Sequence, residues 1–306
     1  MREICFTLLG IILCLSGVFR ISPGEDYVIG TQFLKISNNV VAAGMGEASG
    51  AVLKPEVSNV SANPATLYGL EKHNIVLSHN QWFAGLNYDF VGYAQAVLAK
   101  KGVLGVSGMW INDVVPLYDV NADKTGDAKV YNGTINLFSS WQLREDLQGG
   151  INVKEVFQSL NGIGGNTFGF DLGLLYQLAP RSLNLGVVVQ NVGLPFRFLE
   201  KVTYLPLTLK IAAAYLVPMD KHNFVIALDV NQGINQPPRV NLGAEYNFKE
   251  LFFLRLGYKI GYDLEGISLG AGARFTVSLF VYELNYAYVP HVDLGNTHRV
   301  SLGIKF

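Results

Sequence analysis

From His73 to Phe306 the chain repeats one pattern. Segments of roughly ten residues alternate apolar and polar side chains, and Gly, Asn, Asp or Pro separates one segment from the next. About fourteen can be counted, near 74–83, 86–99, 102–113, 131–143, 146–157, 166–178, 182–192, 206–217, 222–232, 239–248, 251–262, 265–276, 278–289 and 296–306. Successive side chains of a strand point to opposite faces, so each segment has an apolar face and a polar one. In 251–262, Leu254, Leu256, Tyr258 and Ile260 oppose Arg255 and Lys259. Strands of a sandwich usually run only about five or six residues. A closed barrel accepts longer strands and leaves no unpaired edge.

Composition places that barrel in a membrane. The 306 residues are 50% hydrophobic and only 15% charged, with mean hydropathy +0.27. Beyond the N-terminus no apolar run reaches the roughly eighteen residues of a spanning helix. Lipid offers the backbone no hydrogen-bond partners, so only helices and closed barrels cross it. The expected fold is therefore all-β: an antiparallel transmembrane β-barrel of about 14 strands. Its apolar face meets outer-membrane lipid and its polar face meets the lumen. Arg239, Glu245, Arg255, Lys259, Arg274 and Glu283 become lumen charges, together with Asp171, Lys210 and Asp229. Arg274 and Glu283 fall on neighbouring segments and on one face, so they are expected to pair. Net charge is −1 with scattered basic residues, which gives no nucleic-acid footprint.

The two ends differ from the repeat. Residues 1–20 read as a signal peptide, with Arg2 before an apolar core from Ile4 to Val18. Both cysteines, Cys5 and Cys14, lie within it, so the exported chain has no disulfide and no thiol chemistry. Residues 21–72 do not alternate over long stretches and carry Gly44-Met45-Gly46, Lys54-Pro55 and Asn63-Pro64. They predict a compact N-terminal element of short helices and turns, ahead of a barrel over 73–306. Val114 to Val130 reads as the longest loop of that barrel. The last segment places Val300, Leu302, Ile304 and Phe306 on one face. A terminal aromatic after alternating apolar residues resembles the signal that the barrel-assembly machinery reads in bacterial porins, which makes Phe306 the expected assembly signal.

Chemistry is sparse. None of the five histidines lies two to four residues from another, so no helical metal motif is present, and the aspartates of 113–127 do not match a calcium loop. Ser78 beside His79 is the only local hydrolase-like pair. The chain is expected to be no enzyme and to need no cofactor.

The run Phe33-Leu34-Lys35-Ile36, then Ala42-Ala43-Gly44-Met45-Gly46-Glu47-Ala48, then Asn59 to Ala65, resembles the start of the PorV/PorQ family. Tyr286 to Pro290 followed by Leu294 to Arg299 is similar to its end. That family belongs with the FadL-type outer-membrane transporters of long-chain fatty acids, barrels of about fourteen strands whose N-terminal segment folds into the lumen. The resemblance implies that 21–72 is a hatch, with Gly44, Met45, Gly46, Asn63, Pro64 and Ala65 as its motif. Val41 and Lys54-Pro55-Glu56 depart from the family pattern, which carries an Arg and an acidic pair there. Two functions follow from the likeness: passive uptake of a hydrophobic small molecule across the bacterial outer membrane, with Phe33, Leu34 and Ile36 along its path, or a PorV-like role in type IX secretion that binds secreted protein cargo.

Overall fold

A computed structural model describes residues 27–306 apart from 83–85, 98–100, 122, 179–181 and 199. The expected signal peptide and both cysteines lie outside the described residues. Fourteen strands close into one antiparallel barrel. They are β2 (His73–Gln81), β3 (Asn87–Val97), β4 (Gly102–Tyr118), β5 (Lys124–Arg144), β6 (Leu147–Leu160), β7 (Ile163–Leu178) and β8 (Leu183–Gly193), then β11 (Thr208–Met219), β12 (His222–Gly233), β13 (Arg239–Phe248), β14 (Phe252–Ile260), β15 (Ile267–Val277), β16 (Phe280–His291) and β17 (Gly295–Lys305). Each pairs with the next in sequence. The seam is β17 on β2, in register from His298↔Gln81 to Lys305↔Asn74.

A second, small sheet joins β1 (Tyr27–Ile29), β10 (Lys201–Tyr204) and β9 (Phe196–Phe198), with β1 parallel to β10. The alternation pattern gave no sign of it, because three- and four-residue strands are too short to display a period. Val114 to Val130 is not the loop that was expected. Strands β4 and β5 continue as a paired hairpin from Val114↔Lys129 to Leu117↔Gly126. Backbone pairing sustains strands there although Val114, Leu117 and Tyr118 are all exposed, so burial did not mark them as strand.

The barrel has a short-turn end and a long-loop end. At the first, strands reverse directly between Arg144 and Leu147, Met219 and His222, and Val277 and Phe280, and both His73 and Phe306 lie there. At the second, longer connections span 194–207, 234–238 and 261–266. Aromatic side chains ring the short-turn end: Phe306 stacks within 5.0 Å of His73 and 5.5 Å of Phe280, and Phe224 lies 4.9 Å from Tyr246. Phe306 closes its strand through backbone hydrogen bonds in both directions with His73, at 3.2 and 3.1 Å.

Exposure separates the faces. On β14, Leu254 is 60% and Leu256 51% exposed, whereas Arg255 is 4% and Lys259 5%. Apolar side chains point out and charged ones point in, the inverse of a water-soluble barrel and the arrangement lipid requires. The inner face is not uniformly polar. On β2 to β6, Val76, Phe90, Val103, Met109, Phe138 and Val156 also point inward, packing on Phe33, Val57, Val60 and Leu67 of the N-terminal segment. That segment lies inside the barrel, so this wall buries apolar surface on both of its faces.

Leu256→Arg places a charge at mid-strand on the outer face. It is expected to cost about 2–4 kcal/mol, read by denaturant titration of barrel refolded into vesicles. Val120→Arg, at a fully exposed hairpin tip, should change stability by less than about 0.5 kcal/mol. Equal losses for both would mean that the outer face is not the lipid face.

Candidate functional site

The lumen contains the N-terminal segment, which runs from the long-loop end, where β1 sits, to the short-turn end, where β2 begins. Helix α1 (Val40–Gly44) starts at Asn39, whose side chain accepts from the Ala42 N–H at 3.0 Å. A helix this short needs that cap, since few of its amides have partners of their own. Asn39 also donates to the Asn59 side chain, tying α1 to the next turn. Gly46 has φ +62°, and a Cβ on it would meet the Leu242 carbonyl at 2.8 Å. Only glycine takes this left-handed turn so close to the wall. Met45 between the two glycines is fully buried.

Asn63 is the other pivot. Its backbone is extended, φ −162°, as a residue before proline prefers. Its side chain accepts from the Ala65 N–H at 3.0 Å and donates to the Gly50 carbonyl at 2.7 Å and the Leu174 carbonyl at 3.2 Å. Pro64 opens the 3-10 turn Pro64–Leu67, and the Ser140 hydroxyl donates to the Ala65 carbonyl at 3.2 Å. One asparagine therefore bridges two parts of the segment and the barrel wall.

The lumen charges are paired, several of them with this segment. Arg274 meets Glu283 at 2.9 Å and Arg255 meets Glu245 at 2.5 Å, each pair in direct cross-strand register. Lys54 reaches Glu283 at 2.7 Å and Glu245 at 3.9 Å. Glu47 meets Lys259 at 3.1 Å and Arg299 at 3.8 Å, and Lys259 also pairs with Glu265. Asp229, fully buried, accepts the Ser49 and Gly50 N–H groups at 3.1 and 2.9 Å and sits 3.6 Å from Lys210. Lys54, a basic residue of the segment, is thus held by acids of the wall. Arg239 alone among the six expected lumen charges makes no ion pair among the described residues; its guanidinium lies 4.7 Å from the Tyr262 ring.

Two cavities flank the segment. One of about 260 Å³ opens at the long-loop end, lined by Leu34, Ile36, Trp82, Arg239 and Tyr262 among others. The other, of about 640 Å³, opens at the short-turn end beside Lys54, Phe253, Arg274 and Phe306. Glu47 and Ser49 line the first and Val52, Leu53 and Lys54 the second, so residues 47–54 form the partition. Of the three apolar residues expected on a solute path, Leu34 and Ile36 line the cavity at the long-loop end. Phe33 is instead 8% exposed and packed in the apolar cluster.

Ser78 and His79 do not form a dyad. Alternation sends Ser78 inward, 6% exposed, while His79 points outward and pairs with Asp89 at 2.7 Å. Among the described residues no group of three His, Cys, Asp or Glu is placed to hold a metal. Sequence reasoning missed Arg299, which is wholly buried and lies 4.7 Å over the Trp82 ring. The parity of Ser301, Gly303 and Lys305 was the signal that places it in the lumen.

No family model matches the chain, and no curated protein matches it. Solved structures do. The CymD monoaromatic hydrocarbon channel is 14% identical with a TM-score of 0.63, over 87% of this chain and 97% of that one. The Ralstonia pickettii toluene transporter TbuX is 13% identical with a TM-score of 0.59, over 87% and 96%. The Pseudomonas putida toluene transporter TodX is 10% identical with a TM-score of 0.57, over 92% and 98%. At such identities the likeness establishes the fold alone, a closed barrel of fourteen strands, over nearly the whole of each neighbour.

Breaking one side of a buried ion pair strands the other charge, whereas removing both is far cheaper. A double-mutant cycle on Lys54→Met and Glu283→Gln is therefore expected to give a coupling of about 0.5–3 kcal/mol in denaturant titrations. Strict additivity would mean that Lys54 does not anchor the segment through Glu283.

Proposed function

We propose that this protein is a non-enzymatic barrel of the bacterial outer membrane that takes up small hydrophobic molecules passively, with its N-terminal segment as a plug. The observation that carries the reading is the partition: a lumen divided by residues 47–54 into two cavities, one open at each end. Barrels of this class have short periplasmic turns and longer outer loops. The cavity beside Leu34 and Ile36 then faces the outside, and the larger cavity faces the periplasm. A solute would enter among Leu34, Ile36, Trp82 and Tyr262, and movement of the partition would join the two spaces. Three structural neighbours named as hydrocarbon channels or toluene transporters support the reading. Internal cavities favour solute passage over the secreted-cargo alternative, which calls for a protein-binding surface. Outer-membrane lipid and the assembly machinery, reading the strand that ends in Phe306, are the partners this placement entails.

Asn63 links the partition to the wall, donating to Gly50 within residues 47–54 and to Leu174 of β7, while the barrel ladder is made elsewhere. Replacing Asn63 and Pro64 together with Ala is expected to raise ion conductance in planar bilayers. It should also speed uptake of N-phenyl-1-naphthylamine into asymmetric vesicles with a lipopolysaccharide outer leaflet, while the barrel keeps its heat-modifiable migration. An intact barrel with unchanged conductance and unchanged probe uptake would remove the plug and the uptake reading together.

A further inference from the structure

The outer cavity is not electrically neutral. It is lined by four cations, Lys35, Lys210, Arg239 and Lys259, against two carboxylates, Glu47 and Glu265. Both carboxylates pair with Lys259, and Lys210 has Asp229 at 3.6 Å. Lys35 and Arg239 remain. Lys35 has only the neutral Gln236 amide oxygen, at 3.1 Å. Arg239 has the Tyr262 ring and a buried Nε without a hydrogen-bond partner. Neither forms an ion pair among the described residues. They also repel each other: burial first, and then the Arg239 guanidinium, hold the Lys35 ammonium below its ordinary value. Like charges brought together without a counter-ion are costly unless an anion completes the site.

The rest of the wall specifies what that anion is attached to. Leu34, Ile36, Trp82 and Tyr262 give the cavity apolar and aromatic surface. A cavity of roughly 150 Å³ holds benzene, so about 260 Å³ admits one ring with a carboxylate. From these observations we infer that the outer cavity binds a small aromatic monocarboxylate, with its carboxylate between Lys35 and Arg239 and its ring against Trp82 and Tyr262. This rests on the uptake reading for its purpose but not for its chemistry. A planar guanidinium matches a carboxylate through two parallel hydrogen bonds.

Benzoate tests it against benzamide, which has the same shape and no charge. Equilibrium dialysis of the folded wild-type barrel in dodecyl maltoside should show benzoate bound at least about tenfold more tightly than benzamide, the effect of one charge-assisted contact. Lys35→Gln and Arg239→Gln should each weaken benzoate by about tenfold and leave benzamide unchanged. Equal binding of the two probes by the wild type, or a benzoate preference that survives K35Q/R239Q, would overturn the site. N-phenyl-1-naphthylamine uptake by the same protein, reconstituted into asymmetric vesicles with a lipopolysaccharide outer leaflet, separates the two proposals. Benzoate preference without probe uptake upholds the site and removes the uptake reading; probe uptake without benzoate preference does the reverse.

Discussion

Strand β17 hydrogen-bonds to β2 from His298↔Gln81 to Lys305↔Asn74, and this seam turns fourteen strands into a wall without an edge. In lipid an open edge would leave a row of amides and carbonyls without partners, so closure is the condition for crossing the membrane at all. Closure also fixes the faces. Once the outward set must be apolar, every second residue is committed to the lumen. Leu254 and Leu256 are exposed while Arg255 between them is buried, and the same geometry hides Asp229 and Arg299.

A wall of this many strands encloses more space than its own side chains can fill. The N-terminal segment occupies that space, and it is two-sided because the wall is. Toward β2 to β6 it offers Phe33, Val57, Val60 and Leu67 to inward Val76, Phe90 and Phe138. Toward β12 to β16 it offers Glu47, Lys54 and two backbone amides to Lys259, Glu283 and Asp229. The first contact works as an ordinary hydrophobic core turned inside out. The second is a set of buried pairs, strong only when both members are present. The polar side carries residues 47–54, the partition between the two cavities.

Arg239 and Lys35 stand apart from this pairing. Elsewhere in the lumen Arg255, Lys259, Arg274 and Lys210 each face a carboxylate of the protein's own. At the long-loop end the count fails, beside the outer cavity and next to aromatic side chains. Unneutralised charge in a confined space is a binding determinant, because a ligand that supplies the missing sign recovers what the protein left unpaired.

The barrel was legible in the sequence because strand periodicity is local. Each ten-residue segment shows its two faces by itself, and fourteen repetitions leave one architecture that lipid permits. The cross-strand pair Arg274–Glu283 followed from the same parity. The extent of β4 and β5 beyond residues 113 and 131 was not legible, because paired strands that leave the membrane no longer need an apolar face. Nor were the inward apolar residues of β2 to β6, since alternation does not tell a lumen open to water from one filled by another part of the chain. The anchoring of Lys54 on Glu283, the two amides on Asp229 and the isolation of Arg239 join residues far apart in sequence. Only the folded barrel, by bringing its inner face around the N-terminal segment, decided which charges meet and which remain without a partner.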